Sequence, residues 1–474
     1  MGKNKIRSKD FNLLQYHSHK ARSIAIALMA KHFKHSKKAE KLEILQAVKE
    51  TPAKYLDDPV LGVLAAEFKE EAVVPKPPEL KLPEAPKQYP VFGKKLVDNN
   101  TLKQMDMAMR LPVTIRGALM PDAHHGYGIP VGGVLATQNA VIPYGVGLDI
   151  GCRMALSLLD VPPAYLKRHH YQFKMALDSQ THFGIGKVQD TSEAHEVLDR
   201  QEFQETELLR LLKGKAAAQI GTSGSGNHFV EFGIVEVSHE SRLNLEPGKY
   251  VGILSHSSHS GSRGFGATIA QYYTKVAMDT SQLPREAKHL AWLDLDSEAG
   301  QEYWIAMNLA GDYAKACHDV IHRKLTKLLG LKTLMKVENH HNFAWKEKVN
   351  GEELVVHRKG ATPAQEGVLG IIPGSMTAPG YIVSGKGNPA SLSSASHGAG
   401  RMMSRRKARN SITRSEMRKR LTNLGITLLG GGVDEAPMAY KDLELVMSQQ
   451  QDLVRVEGQF FPKIVKMNND EDHE

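Results

Sequence analysis

Six prolines crowd the stretch between Val74 and Pro90: Pro75, Pro77, Pro78, Pro83, Pro86 and Pro90. Each fixes its own φ and lacks a backbone donor, so this run can be neither a helix interior nor an inner strand. It reads as a stiff, extended linker over residues 73–90. That linker divides the chain into a helical, basic extension over residues 1–72 and a body over 91–467, followed by an acidic, frayed tail over 468–474. In the extension, Ala39–Glu50 and Pro59–Glu71 carry apolar residues at three- and four-residue steps, as at Leu61, Leu64 and Phe68. Lysines and histidines crowd Lys31–Lys38, either as a solvated helix face or as a source of phosphate contacts.

Beyond Val91 the texture changes. Glycine-rich turns alternate with short apolar runs, and Arg153–Leu159, Asn227–Val237 and Tyr250–Leu254 read as strands. Helical spacing falls between them, in Ala267–Met278 and Glu302–Leu329. No fixed-period repeat and no regular βαβ beat is present, so the expected class is α+β, a complex domain of mixed sheets flanked by helices. After Asp434-Glu-Ala-Pro437 a helix is expected, with Leu443, Val446, Met447, Leu453 and Val454 on one face.

A hydrophobic content of 41% with 24% charged residues describes a chain with a real core. No run approaches membrane-spanning length. The apolar run Ile24–Ala30 is short and lacks a cleavage site, and Ile6 breaks the myristoylation pattern, so a cytoplasmic protein with no membrane partner is expected. The two cysteines, Cys152 and Cys317, exclude a disulfide framework. Cys317 lies in the helical-looking Tyr313–His318 and reads as a packing residue. A net charge of +9 with 22 histidines favours a polyanionic partner, nucleic acid first.

The chemistry concentrates in Gly147-Leu-Asp-Ile-Gly-Cys152. Asp149 and Cys152 bring a carboxylate and a thiolate together, and two such anions repel unless a cation lies between them, so a metal site is expected. Further histidines sit in turns rich in glycine, serine or asparagine. They are found in Pro121-Asp-Ala-His-His-Gly126, Gly221-Thr-Ser-Gly-Ser-Gly-Asn-His228, Ser258-His-Ser-Gly-Ser-Arg-Gly264, Asn339-His-His-Asn342 and Ser396-His-Gly-Ala-Gly-Arg401. Such turns expose backbone N–H groups to phosphate oxygens, and Arg263, Arg401 and Arg405 add planar forks for the same oxygens. Metal-assisted phosphoryl or nucleotidyl transfer follows. There is no Walker loop, so a nucleotide must be held another way.

Taken in order, these motifs resemble the RtcB family of RNA ligases. They are Met120-Pro-Asp-Ala-His124, Val146–Cys152, Gly224–His228, His259–Gly264, His341-Asn342, Arg358–Thr362, Pro373-Gly-Ser-Met376, His397–Arg401 and Asp434–Pro437, and the likeness spans roughly Val91 to Lys466. The resemblance implies a single catalytic domain. It also implies a GTP-dependent ligase with two Mn2+ ions, joining an RNA 2′,3′-cyclic phosphate or 3′-phosphate end to a 5′-hydroxyl end in splicing or repair, with an archease-type activator as a further partner. By the same resemblance Asp149, Cys152, His228, His259 and His341 are the metal ligands, with Cys152 bridging the two ions, and His397 is the nucleophile that takes up GMP. Asn227 is placed at a phosphate, and Glu231, Ser375, Gly398, Gly400, Arg401, Tyr440 and Lys466 at the nucleotide. For Arg401 a structural ion pair is the competing reading, and for Tyr440 an ordinary core role. The Cys/His/Asp donor set alone would favour zinc; the family implies manganese, with zinc as an inhibitory occupant.

Some positions depart from the family pattern. Arg153 replaces a glycine after Cys152, where it would lower the thiol pKa and contact phosphate, or reshape the turn. Gly380, in Thr377-Ala-Pro-Gly-Tyr381, replaces a serine expected at the guanine, and Pro363 replaces an arginine. The chain also runs on past Lys466. These changes suggest a divergent paralogue. The competing functions are a metal-dependent RNA-end phosphatase or cyclic phosphodiesterase without ligation, and a non-catalytic RNA-binding paralogue.

Overall fold

In the computed structural model, residues 6, 10–11, 14, 16, 19–68, 80–184, 193–224, 226–257 and 264–468 are described. The chain forms two compact units, Met1–Pro77 and Pro78–Glu474. The first is helical, with α1 (His19–Lys31), α2 (Lys38–Glu50) and a short turn of helix at Gly62–Ala66. The Glu40 carboxylate accepts from the Lys37 N–H at 3.1 Å and starts α2. Leu45 and Val48, three residues apart, are fully buried with Ala21, Ala25, Met29 and Leu64. Tyr16 is also buried; its hydroxyl donates to the Leu45 carbonyl at 2.8 Å, and its ring lies edge-on to Phe68. Lys31, Lys34 and Lys37 stand exposed, while Lys38 pairs with Asp10 at 2.7 Å.

Residues 69–79, which include the first seven of the proline-rich segment, fall outside the described residues, as does the tail from 469 on. The rest of the segment is extended but docked. Leu80 N–H donates to Gln282 O at 2.8 Å, Tyr89 Oη to Asp106 at 2.8 Å, and Leu82 and Tyr89 pack on the core of the second unit.

The second unit holds two main sheets. Their strands are β1 (Thr114–His124), β2 (Val131–Thr137), β3 (Arg153–Leu159), β4 (Phe229–Val237), β5 (Gly248–Ser257), β6 (Thr333–His340), β7 (Asn342–Val349), β8 (Glu352–Lys359), β9 (Leu369–Ile372), β10 (Gly380–Gly385), β11 (Thr427–Leu429) and β12 (Val454–Met467). One sheet has four strands in the order β1-β2-β8-β7; the other has eight, β9-β10-β12-β4-β5-β3-β6, with β11 beside β12. All pairs are antiparallel except β11–β12. Mixed helices and sheets of this kind are the α+β class the sequence indicated.

Two helices, α3 (Phe265–Thr280) and α4 (Glu298–Leu329), share the largest core with Phe203, Tyr303, Met307 and Tyr313. Ser297 caps α4, accepting from Gly300 N–H at 3.1 Å, and Gly330 ends it at φ 63°. Cys317 is buried in α4, and burial pushes its thiol up to about 12, an inert packing group.

The helix expected after Pro437 is shorter than its apolar pattern suggested. It covers Leu443–Ser448, and Val454 already belongs to β12. Leu443, Val446, Met447, Leu453 and Val454 do share one core, so the apolar pattern marked a common burial rather than a common helix. Pro462 hides β12 from a sequence reading, because proline is rare in inner strands; here it sits at a register shift between Pro462 and Ile464.

His341 joins consecutive strands of the two sheets. β6 ends at His340 in the larger sheet and β7 begins at Asn342 in the smaller, leaving His341 between them. There the loop before β3 is tied down: Gly151 N–H donates to Asn342 O and His341 N–H to Cys152 O, both at 2.9 Å.

Candidate metal and nucleotide site

The loop Gly147–Cys152 is pressed against α4. Gly151 has φ 72°, and a Cβ there would come within 2.8 Å of Gly311 Cα, so only glycine lets the loop lie this close. Held so, Cys152 Sγ is 3.2 Å from His256 Nε2, which is 3.4 Å from His341 Nε2. On the other side His228 Nε2 is 3.4 Å from Asp149 Oδ2. Two donor triads result, Cys152–His256–His341 and Asp149–Cys152–His228, each with its ligand atoms within 4.8 Å of one another. Cys152 belongs to both.

The cysteine and the three histidines are buried. Burial, reinforced by neighbouring imidazoles, lowers His256 to about 3 and His341 well below the ordinary histidine value, so both rings are neutral near pH 7. Neutral imidazole is the form that ligates metal. His256 Nδ1 lies 3.3 Å from the Asn227 carbonyl, which takes its proton and leaves Nε2 as a lone pair facing the thiol. Among the described residues neither ring nitrogen of His228 nor Nδ1 of His341 has a hydrogen-bond partner. Each buried polar atom left this way costs about 1–3 kcal/mol. A divalent cation satisfies a thiolate, a carboxylate and imidazole lone pairs at once, so the donor set fits a metal.

His259, the motif histidine, lies outside the described residues. The sequence reading passed over His256, three positions earlier. Strand alternation could have found it, because Leu254 and His256 share one face of β5 and both line the cavity.

Beside the triads opens a cavity of about 310 Å³. His397 lies on its wall, its ring centroid 5.0 Å from that of His341. Its Nδ1 is 2.7 Å from Asp122 Oδ2, and the same oxygen accepts the backbone N–H groups of His397 and Gly398 at 3.1 and 3.3 Å. Burial would raise the Asp122 carboxyl, but His397, His124 and Lys441 more than offset it, and the group is held below its usual value as a carboxylate. An ionised Asp122 fixes the proton on Nδ1 and leaves Nε2 as the free lone pair. Gly400, at φ 73°, lets the following turn pass this strand end; a Cβ there would meet Asp122 O at 2.2 Å.

Asn227, Glu231, Ser375, Gly398, Gly400, Arg401 and Tyr440 all line the same cavity. Burial raises Glu231 well above the ordinary carboxyl value, which favours its protonated, hydrogen-bond-donating form. Arg401 pairs with Glu435 at 3.1 Å, donates to Asp434 O at 2.7 Å and covers the Tyr440 ring at 5.1 Å. The structural ion pair and a place on the cavity wall therefore coexist. Lys466 does not line the cavity. Its neighbours Val465 and Met467 do, and strand alternation turns Lys466 to the other face, where its ammonium meets Asp178 and the Thr181 carbonyl. Arg153 does not line it either, lying 3.6 Å from Glu338. Ala378 and Gly380 border the cavity without a side-chain donor. Asp122, His124, His256 and Glu435 are site residues that the sequence reading did not assign.

The profile of the family described as "tRNA-splicing ligase RtcB" matches residues 104–467. The RNA-splicing ligase RtcB of Escherichia coli K12 is 32% identical over 394 residues, covering 76% of this chain and 92% of that protein. The tRNA-splicing ligase RtcB of Nanoarchaeum equitans is 30% identical over 427 residues, covering 74% and 88%. The RNA-splicing ligase RtcB of Mycobacterium tuberculosis is 30% identical over 422 residues, covering 74% and 97%. The chain belongs to the RtcB family of RNA ligases.

Proposed function

We propose that this RNA ligase uses GTP and two Mn2+ ions to join an RNA 3′-phosphate end to a 5′-hydroxyl end through a histidine–GMP intermediate. The observation that carries the reading is His397, held by Asp122 with its ring 5.0 Å from a ligand of the thiol-sharing triads. Asp149, Cys152 and His228 would hold one ion and Cys152, His256 and His341 the other. Bound there, the ions would offset charge on phosphate oxygens.

The remaining steps belong to the chain's own groups. His397 Nε2 attacks the α-phosphorus of GTP; an N–P bond forms, the bond to the β-phosphate oxygen breaks, and pyrophosphate leaves. Asp122 stabilises the developing imidazolium through Nδ1–H. A 3′-phosphate oxygen of the RNA then displaces His397 from the GMP. The 5′-hydroxyl oxygen in turn displaces GMP from the RNA phosphorus, closing the phosphodiester. A 2′,3′-cyclic phosphate is a diester and lacks the nucleophilic dianionic phosphate of a monoester, so water must first add to phosphorus and break the P–O2′ bond, leaving a 2′-hydroxyl and the 3′-phosphate. In this reading Asn227 and Arg401 would contact phosphate oxygens, and Glu231, Ser375 and Tyr440 the base; all five line the cavity. Repair or splicing in the cytoplasm, with an archease-type activator, completes the proposal; among the described residues no helix is long and apolar enough to cross a membrane.

Manganese with α-labelled GTP tests the reading. The wild-type protein acquires a covalent label that is stable to base and labile to acid, and His397→Ala does not. With ATP in parallel, a smaller difference than in a strict GTP enzyme is expected, because Ala378 and Gly380 offer the base no side-chain donor. A manganese-loaded wild type that takes no label, yet releases phosphate from RNA 3′-phosphate ends, overturns the ligase mechanism in favour of a phosphatase.

A further inference from the structure

Between Arg401 and Asn423 the chain carries nine arginines and lysines and a single acid, against a net charge of +9 for all 474 residues. That acid, Glu416, is occupied in the capping box of Thr413, accepting its N–H at 2.9 Å and its hydroxyl at 2.7 Å. The segment folds as two short helices, α5 (Arg405–Ser411) and α6 (Arg414–Asn423). Their apolar residues face inward. Ala408, Ile412, Met417 and Leu421 are buried against Met376, Val465 and Met467, which themselves border the cavity. Outward stand Arg406, Lys407, Arg414, Arg418, Lys419 and Arg420, all exposed. Arg401 and Arg405 reach the cavity wall, where the carboxylates of Glu435 and Asp434 pair with them, so the excess positive charge lies on the outer face.

We infer that the outer face of α5 and α6 docks the phosphate backbone of the RNA whose end enters the cavity. This rests on the ligase reading above and names a surface for its substrate. Charge of one sign costs stability through self-repulsion. Here it is concentrated on a rigid wall continuous with the site, where a strand leaving the cavity would run. Arginine suits such contacts because its planar fork matches phosphate oxygens. A membrane surface is disfavoured: an interfacial helix needs an apolar face to insert, and that of α6 is already buried in the protein. No contact to base edges is implied, so the contribution is independent of sequence.

The test uses the full chain and a fluorescent single-stranded RNA with a 3′-phosphate, titrated at KCl concentrations from about 50 to 200 mM. In the variant Arg406→Gln/Arg418→Gln/Lys419→Gln/Arg420→Gln, the slope of log K against log salt should fall by about 2–3, since each phosphate contact to a single strand contributes roughly 0.7. The loss should be equal for RNAs of unrelated sequence, and labelling by GTP should stay at the wild-type rate. Arg406→Lys/Arg418→Lys/Arg420→Lys should keep the slope. If the quadruple variant fails to take label, Arg418→Gln/Arg420→Gln serves instead, with a fall of about 1.4. An unchanged slope in a labelling-competent variant overturns the inference. So does loss of binding to an acidic polypeptide with RNA binding intact, which would make the face a protein-docking surface. A wild type that takes no GMP yet shows the charge-dependent slope would sink the ligase mechanism and leave this surface standing.

Discussion

Two sets of buried histidines lie on opposite faces of β5, and they are built differently. Ser255 and His256 are neighbours in the strand, so they point to opposite sides of the sheet. On the α4 side, Ser255 Oγ is 2.6 Å from His318 Nδ1 and 2.7 Å from His322 Nε2, and His322 Nδ1 is 2.7 Å from Ser157 Oγ. Every nitrogen of His322 is matched by a hydroxyl that can give or take a proton. On the cavity side, imidazole faces imidazole and thiol, and His228 has no hydrogen-bond partner among the described residues. Burial is similar, yet one set is closed by its own hydrogen bonds and the other leaves ring nitrogens that a cation would satisfy. Histidine count and burial do not separate structure from function here; the satisfaction of the ring nitrogens does.

The largest expected effect lies on the cavity side. Asp122→Asn keeps the shape but no longer fixes the proton on His397 Nδ1, and the single-turnover rate of GMP labelling should fall on the order of 10³-fold. A fall of less than about tenfold would mean that Asp122 does not orient the nucleophile. Next, the two sets should respond oppositely in metal-free protein. His322→Gln breaks the bond to the Ser157 hydroxyl and leaves Ser255 with His318 alone, and should cost about 1–3 kcal/mol in urea unfolding, with manganese content unchanged. His228→Leu removes two unsatisfied nitrogens and should be neutral or stabilising without metal while lowering manganese content. Equal destabilisation by both would erase the distinction.

The smallest effect is one of pH. Burial puts His322 at about 3, below its unfolded value of about 6.5. The unfolded chain therefore takes up a proton first as pH falls, and the folded state loses ground between about 6.5 and 3. Stability of the metal-free protein should be highest above pH 6.5 and decline below it. His322→Gln should flatten that decline. A wild-type unfolding midpoint that stays level from pH 7.5 to 5 would contradict the assignment.

The site was legible in the sequence where its chemistry is local. Asp149, Cys152, His228 and His397 stand in glycine turns, because a close-packed loop needs glycine beside the donor, as Gly151 against Gly311 shows, while His341 is marked by the asparagines of Asn339-His-His-Asn342. Asp122 was unassigned because its partner is 275 residues away and nothing local marks a carboxylate as an orienting group. His256 was eclipsed by the more distinctive motif three residues on. Lys466, put at the nucleotide by the family resemblance, turns its ammonium to Asp178 and Thr181 instead, because neighbouring positions in a strand face opposite sides. The α+β class followed from the alternation of apolar runs and turns. The link between the two sheets at His341 did not, since it depends on pairings between strands far apart in the chain.

In the proposed site one sulfur, that of Cys152, serves two cations, and manganese stoichiometry tests this most directly. Equilibrium dialysis of the folded wild-type chain should give two ions per chain. His256→Ala and His228→Ala should each retain about one, and Cys152→Ser should lose tight binding of both. If Cys152→Ser still binds two ions, or loses only one as the histidine variants do, the thiol is not shared and the arrangement argued here is wrong.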